Sequence, residues 1–314
     1  MNNKKQYTGM LAALAGNVIF GLTFIFIRSM LVSGLPANIM LTWRLGMAFT
    51  AMLILCIIGV FKVNFKGKRW WRLWPVALFS PCLYFLFESA GISRTSASES
   101  GIIIALVPIC VLILARILLK ERHRRLQVVS VIVSVCGVAL IILAQGGSAT
   151  FSPLGYLFLF GAVLMATGYI LMVRHISKDF SSIEITISTN LVGFIFFGVL
   201  GVVQSWQSGN FDLWLMPLHN SDILFGLFYL AIVSSIFAFI FINYSINTIG
   251  ASRSSIFAGF NTLTSIIAGI LLLNESLLFW QGVGALLIIL GVTGANYFAL
   301  PQQEAEAEEV NSSN

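Results

Sequence analysis

Residues 97–138 read ASESGIIIALVPICVLILARILLKERHRRLQVVSVIVSVCGV, and residues 251–292 read ASRSSIFAGFNTLTSIIAGILLLNESLLFWQGVGALLIILGV. At a constant shift of 154 residues, twelve positions are identical without a gap: 97, 98, 100, 102, 113, 118, 119, 121, 127, 129, 137 and 138. Shared apolar residues inflate any such count. The weight therefore rests on Ser98/Ser252, Ser100/Ser254, Glu121/Glu275, Gln127/Gln281 and Gly137/Gly291. A Leu-Leu-x-Glu closes an apolar run in both copies, and Gln127 and Gln281 stand near the start of the next run. Duplicated halves in an apolar chain are the pattern of carriers that rock about a central site.

Composition sets the class. Hydrophobic residues make up 58% of the 314 and charged residues 10%, too few charges to cover a water-soluble surface. A hydrocarbon core of about 30 Å needs roughly 20 apolar residues per helix, and such runs recur along nearly the whole chain. None alternates with the period of two that a β-barrel strand would show. The expectation is an all-α integral membrane protein.

Apolar runs and polar breaks predict ten spans, at 8–27, 38–60, 74–92, 99–119, 126–144, 154–173, 183–206, 222–244, 250–273 and 277–299. Lysine and arginine orient them. With the amino terminus inside, fifteen basic residues fall on the cytoplasmic side, and only Arg28 and Arg94 fall outside, with Arg44 inside a span. Both termini are then cytoplasmic. Ten spans divide into two sets of five, and an odd set size makes the second half enter from the opposite side, an inverted repeat. A weaker match, Gly9 to Arg28 against Gly155 to Arg174 at a shift of 146, agrees with this. The expected organisation is a tail at 1–7, five-helix repeats at 8–144 and 154–299, and a disordered acidic tail at 300–314. The first apolar run lacks a small-residue cleavage site and reads as a signal anchor.

Ionisable groups inside a membrane are costly and usually face a partner or a cavity. Arg44 lies about six residues into the second span, Glu88 about four from the outer end of the third, and Glu99 opens the fourth. At about 1.5 Å per residue, all three sit within roughly 10 Å of the outer boundary. Arg44 is expected to pair with Glu88 or Glu99. One reading makes this a structural ion pair that fixes helix order; the other makes Arg44 a contact for a substrate carboxylate or Glu88 a protonatable coupling group. The sequence leaves both open. Tyr84, four residues before Glu88, shares its face and would orient the carboxylate or simply anchor at the interface. Among uncharged groups, Asn17, Thr23, Asn190, Asn243, Asn247, Asn261 and Thr262 interrupt apolar faces. Bonds between helices are the usual reason for such residues, and Asn17 and Asn261 are the best candidates for lining a polar cavity. Pro108, within the fourth span, frees a carbonyl and marks either a hinge or a static kink.

Other chemistry is unsupported. The four cysteines, all within apolar runs, read as packing residues. His123, His175 and His219 are too scattered for a metal site, and no phosphate-binding loop is present, so neither metal, cofactor nor ATP is expected. The basic tracts KERHRR at 120–125 and FKGKRWWR at 65–72 read as cytoplasmic clamps at the lipid surface, with Trp70 and Trp71 as anchors, and not as nucleic-acid contacts.

The segments AGNVIFGLTFIFIRSM in the first span, TWRLGMAF in the second, FESAGISRTSASESGIIIALVPI across the third and fourth, and the paired LLKE and LLLNES endings resemble the drug/metabolite transporter superfamily, in particular its EamA-type transporters. The resemblance covers about 8–299. It implies a secondary carrier without an ATP-binding domain. Its cavity would be lined by helices one, three, four, six, eight and nine, with five and ten packed at the ends. The expected function is a plasma-membrane, secondary-active exporter of small organic metabolites such as amino acids, working by alternating access. The alternatives are an uptake permease for a metabolite or nucleotide-linked solute, an integral membrane enzyme, a channel and a receptor. The last three lack clustered catalytic groups, a ring of like charges or filter backbone, and a need for paired halves. Expected partners are the solute, membrane lipid and protons as coupling ion; a homodimer is compatible with the chain, and nucleic acid is not a partner.

Overall fold

Caps written into the sequence set the ends of several long helices in the computed structural model. The structure describes residues 3–92, 94, 103–104, 106–118, 124–144, 152–261, 263–264, 267–268 and 279–298. Helix α1 (Asn3–Val32) is followed by α2 (Ala37–Ile57), which begins directly after the extended Pro36, and by α3 (Trp70–Gly91). Then come α4 (Val107–Leu118), α5 (Arg125–Ala144) and α6 (Pro153–Ile176), where Ser152 Oγ accepts from Gly155 N–H at 3.2 Å. A reciprocal Ser181–Glu184 capping box starts α7 (Ser182–Ser208), and Gly209, at φ 65°, ends it. Asn220 Oδ1 accepts from Asp222 and Ile223 N–H at the start of α8 (Ser221–Ile249), and Gly250, at φ 91°, stops that helix. The chain continues through α9 (Ala251–Ile256) and α10 (Phe279–Tyr297). There is no strand among the described residues.

Five of these helices, α2, α3, α6, α7 and α8, are long and apolar enough to cross a membrane. The side-chain distribution agrees. Helix α7 buries Thr186, Thr189 and Asn190 and leaves Ile195, Val199 and Val202 about half exposed. A helix in water does the reverse; this arrangement is stable where the surroundings are hydrocarbon. Glu99, Thr262, most of the basic tract at 120–125 and the acidic tail lie outside the described residues. The eighth helix runs to Ile249, five residues past the expected end at 244, because the intervening asparagines stay helical and the first residue to leave is Gly250.

Two helices are not regular. Ser80 in α3 has φ −150° and ψ 128°, because the ring of Pro81 disfavours α geometry in the preceding residue, and the turn around it, Leu78–Leu83, widens to π-helix. In α8 the π-helical stretch is Tyr229–Ala238. Moving 78–83 along by the 154 residues of the repeat gives 232–237, inside that stretch.

Helix pairing is regular as well. Extensive contacts join α5 to α10, α2 to α7, α3 to α6 and α1 to α8, with α4 against α9. Small residues allow the closest approach. A Cβ at Gly137 would lie 2.7 Å from Gly284 O and 2.8 Å from Leu287 Cβ, and one at Gly291 would lie 2.5 Å from Ser134 N. Both glycines belong to the repeat match, and each contacts the other copy's helix. Gly291→Leu should therefore lower the thermal midpoint of the detergent-purified protein. Overpacking against backbone costs about 1–3 kcal/mol. Gly282→Leu, on the same helix with nothing within 4 Å, is the control, and equal midpoints for the two variants would refute this account of the α5–α10 contact.

Candidate functional site

A cavity of about 200 Å³ lies where α1, α2, α3, α4, α6, α8 and α9 meet. Its wall is mostly apolar, with Phe20, Phe85, Phe239 and Ile242 prominent, and the polar groups are few enough to take in turn. Six residues singled out by the sequence come together here: Asn17 and Thr23 from α1, Arg44 from α2, Tyr84 and Glu88 from α3, and Asn261 just beyond α9. The helix set expected from the resemblance is present, with α2 added through Arg44.

Arg44 is the largest of the fully buried side chains, 1% exposed. Its Nε donates to Ser235 Oγ at 2.7 Å and its Nη2 to Ser234 Oγ at 3.0 Å, and its guanidinium sits 5.2 Å from the centroid of Phe85. The expected salt bridge with Glu88 is not formed: no ion pair within 4.0 Å joins the two among the described residues. The reason is the adjacent serine pair in the widened turn of α8, which reaches the guanidinium first. Pairing with Glu99 lies outside the described residues. Glu88 is held by its own helix, its Oε1 accepting from Tyr84 O–H at 2.7 Å, as the four-residue spacing predicts.

Asn17 donates Nδ2 to Ala13 O at 2.8 Å within α1, and the buried Oδ1 of Asn261 has no partner among the described residues. Asn190, also a candidate for substrate binding or coupling, makes a bond between helices. It does not line the cavity; its Nδ2 donates to the backbone carbonyl of Ser235 at 3.1 Å and approaches Met52 Sδ at 3.6 Å. A π-turn leaves carbonyls displaced from their usual acceptor geometry, and Asn190 satisfies one of them. Thr23 Oγ1 adds a bond to Ser234 Oγ at 3.2 Å. Groups from α1, α2 and α7 therefore converge on two serines of α8.

Several of these parts were missed in the sequence. Ser234 and Ser235 look like ordinary small residues in an apolar run, and the signal was their register: Ser80 and Pro81 lie 154 residues earlier. Tyr169 O–H donates to Asn243 Oδ1 at 2.7 Å, and Asn243 Nδ2 donates to Thr186 Oγ1 at 3.1 Å, a buried bridge across α6, α8 and α7. At the carboxy-terminal ends of α6 and α8, Arg174 Nη1 donates to Asn247 O at 2.9 Å, tying the two helices together. Glu184, buried in the capping box of α7, also accepts from Asn64 N–H at 2.8 Å and from Lys68 Nζ at 2.7 and 2.9 Å. Arg72 pairs with Asp179 beside it. The Ser-x-x-Glu spacing at 181–184 was the legible sign of that acid.

The same architecture occurs elsewhere. A solved crystal structure at 15% sequence identity covers 91% of this chain, and 98% of its own, with a TM-score of 0.68. The model of the EamA-like transporter family matches residues 7–143 and again 153–297. The uncharacterized transporter YcxC of Bacillus subtilis is 30% identical over 297 residues, covering 94% of this chain and 95% of that protein. The uncharacterized transporter YyaM of the same organism is 26% identical over 280 residues, covering 85% and 87%.

Proposed function

The chain belongs to the EamA-like transporter family, and on that premise we propose that it is a secondary-active exporter of small organic metabolites, such as amino acids, working by alternating access. It is a multi-pass membrane protein and a transporter rather than an enzyme. The observation that carries the finer reading is the cavity itself: a mostly apolar chamber with one buried cation, one carboxylate and several neutral polar groups, lined by α1 to α4 from the first family match and by α6, α8 and α9 from the second. A group of helices on each side of one site is what a rocking carrier needs.

Ten spans in two inverted repeats, at 8–144 and 154–299, account for the pairing. If α1 corresponds to α6, α2 to α7, α3 to α8, α4 to α9 and α5 to α10, then the α1–α8 and α3–α6 contacts are equivalents. The α2–α7, α4–α9 and α5–α10 contacts then map onto themselves. The two widened turns and the two glycines are also equivalent under that correspondence. The basic loops support cytoplasmic termini; the plasma membrane is the proposed location, and Glu88 is the proposed carrier of a coupling proton. Export follows the family resemblance. Pockets for drug-sized ligands run to about 300–1,000 Å³, so a chamber of about 200 Å³ favours a solute smaller than the nucleotide-linked alternative.

The Arg174–Asn247 contact supplies the test. In alternating access, α6 and α8 separate at this end once per cycle. Cysteines replacing Arg174 and Asn247, in a background lacking the other cysteines, should arrest flux in proteoliposomes when cross-linked and restore it on reduction. The solute itself would come from metabolite profiling of cells with and without the protein. Full turnover with the cross-link verified by mass spectrometry would dismiss the rocking mechanism.

A further inference from the structure

Helices α2 and α7 are joined at both ends and in the middle. At the start of α2, Asn38 Nδ2 donates to Gln204 Oε1 of α7 at 2.9 Å. Beside it Trp214 bridges the pair: its carbonyl accepts from Trp43 Nε1 at 3.1 Å, and its own Nε1 donates to Ser205 Oγ at 2.8 Å. At the other end, the connection that follows α2 folds back onto α7. There Asn64 N–H and Lys68 Nζ donate to Glu184, and Phe61, Val63 and Phe65 pack with Ile183 and Ile187. At about 1.5 Å per residue, the 21 residues of α2 set these attachments about 30 Å apart, the depth of a hydrocarbon core. Between them the backbones approach closely. A Cβ at Gly46 would lie 2.8 Å from the Phe194 ring, and one at Gly193 would lie 2.7 Å from Leu45 Cδ1.

Both irregular helices lean on this pair. Arg44 of α2 holds the widened turn of α8 through the hydroxyls of Ser234 and Ser235, and Asn190 of α7 holds it through the Ser235 carbonyl. Arg44 and Asn190 are 146 residues apart, the shift that relates Gly9 to Gly155. For α3, the missing side chain of Gly193 makes room for Pro81, whose Cγ would lie 2.5 Å from an added Cβ. The bonds from α6 to α8 are distributed differently. Tyr169 to Asn243 and Arg174 to Asn247 both lie toward the carboxy-terminal ends of the two helices.

We propose that α2 and α7 form a stationary seam in the transport cycle, with Asn190 and Gly193 as positioning residues that seat the bends of α8 and α3 against it. The proposal rests on the alternating-access reading above and adds to it the part that does not move. Rocking opens one end of a central site while it closes the other. A helix pair bonded at both ends would lose one set of bonds in each state if it took part, and a hydrogen bond does not survive separation beyond about 3.5 Å. Glu184 raises the cost at its end, because a buried carboxylate parted from Lys68 would be left without its counter-charge. The α6–α8 bonds, gathered at one end, carry no such constraint. Helices bend where the regular ladder is interrupted. Both interruptions sit on the seam, so α3 and α8 can flex there while α2 and α7 stay in place. Helix α1 follows α8, since Tyr229 O–H donates to Ile19 O at 3.0 Å and Thr8 Oγ1 lies 3.0 Å from the Tyr244 hydroxyl.

Distances between paired spin labels in lipid nanodiscs, with no solute added, test this separately from flux. Pairs at Ala37 and Gln207 and at Ile57 and Lys178 read the two ends of the seam, and a pair at His175 and Asn247 reads the α6–α8 contact. Each pair is placed in a protein lacking the native cysteines and measured in mildly acidic and mildly basic buffer. The seam pairs should each give one narrow distance that shifts by less than about 2 Å, the scale of an adjustment within a packed interface. The α6–α8 pair should show a second population longer by about 5 Å or more, the scale of one element moving past another. Asn190→Ala should change the ratio of the two α6–α8 populations at least about threefold, the effect of one hydrogen bond on a two-state equilibrium, and leave the seam distances in place. If that variant does not fold, the three distances in the protein with native Asn190 still decide. Seam pairs that shift or broaden as far as the α6–α8 pair would overturn the proposal, and so would three pairs that are equally still. An Asn190→Ala protein with the parental ratio would overturn the role given to that residue. A still seam beside a moving α6–α8 pair, in a protein that carries no solute across proteoliposomes, would leave the seam standing and remove the transport reading.

Discussion

Replacing Arg44 with glutamine will lower both the thermal stability and the transport rate, and it should be the most damaging single change in the cavity wall. The side chain is 1% exposed, and its donors reach Ser234 and Ser235 across the α2–α8 boundary. Hydrogen bonds to charged groups contribute about 1.5–3 kcal/mol each. Removing one partner of a buried charge arrangement costs about 2–5 kcal/mol or more. At 1.4 kcal/mol per factor of ten, the lower figure alone corresponds to about a 30-fold loss in solute affinity. Glutamine can reach one serine but not both, and it brings no charge to set against Glu88. Arg44→Lys should retain part of the electrostatic contribution and recover little of the stability, because a single ammonium cannot reproduce the forked geometry. The measurements are the thermal midpoint in detergent and the initial flux in proteoliposomes at matched reconstitution. An Arg44→Gln variant with an unchanged midpoint and flux within twofold of the parent would show that the serine contacts are incidental.

Most of the helix pattern was legible because hydrocarbon imposes one constraint that dominates all others: about 20 apolar residues per crossing. Helix ends were less legible: the Asn220 cap lies two residues before the expected start at 222, but Gly250, which stops α8, was not read as a cap and the span was expected to end at 244. Departures from regular helix were harder to read. Ser80 leaves helical geometry because of Pro81, a purely local effect that hydropathy does not register. The matching π-helical stretch of α8 has no proline at all. Its irregularity is stabilised by groups far away in the chain, Thr23, Arg44 and Asn190, and no window of local sequence contains them.

The site divides along the same line. Tyr84 and Glu88 were found together because four residues on one helix fix their meeting. Arg44 was found as a costly buried charge, but Glu88, one of its two expected partners, does not pair with it, and the serines that hold it were not anticipated. Opposite charge was the only selection rule available from sequence, whereas the fold supplied two hydroxyls on a neighbouring helix. Asn190, named both as an interhelix bond and as a binding candidate, could not be divided between the two from sequence: a buried amide reads equally well as a ligand contact or as a brace, and the geometry of Ser235 shows the brace. Glu184 escaped notice as a buried acid because it lies at a helix end, where Lys68 and the backbone N–H of Ser181 and Asn64 neutralise or hydrate it in place of water.

Glu88→Gln is expected to separate coupling from movement. The substitution keeps the size of the side chain and an acceptor for the Tyr84 hydroxyl, so α3 should fold normally. What it removes is the ability to take up and give back a proton inside the chamber. If Glu88 carries the coupling proton, accumulation driven by a pH gradient will disappear, while exchange of solute down its own gradient will persist at a lower affinity. The distinction matters because the structural account predicts something else. A carboxylate whose only task was to offset Arg44 would, when neutralised, leave that cation uncompensated and lower stability, with driven and undriven flux falling together. Parallel measurements in proteoliposomes with an imposed pH difference, with none, and with solute on both sides separate the three cases. Gradient-driven accumulation at the parental rate in a well-folded Glu88→Gln protein would assign the coupling to another group and leave Glu88 as the electrostatic counterpart of Arg44.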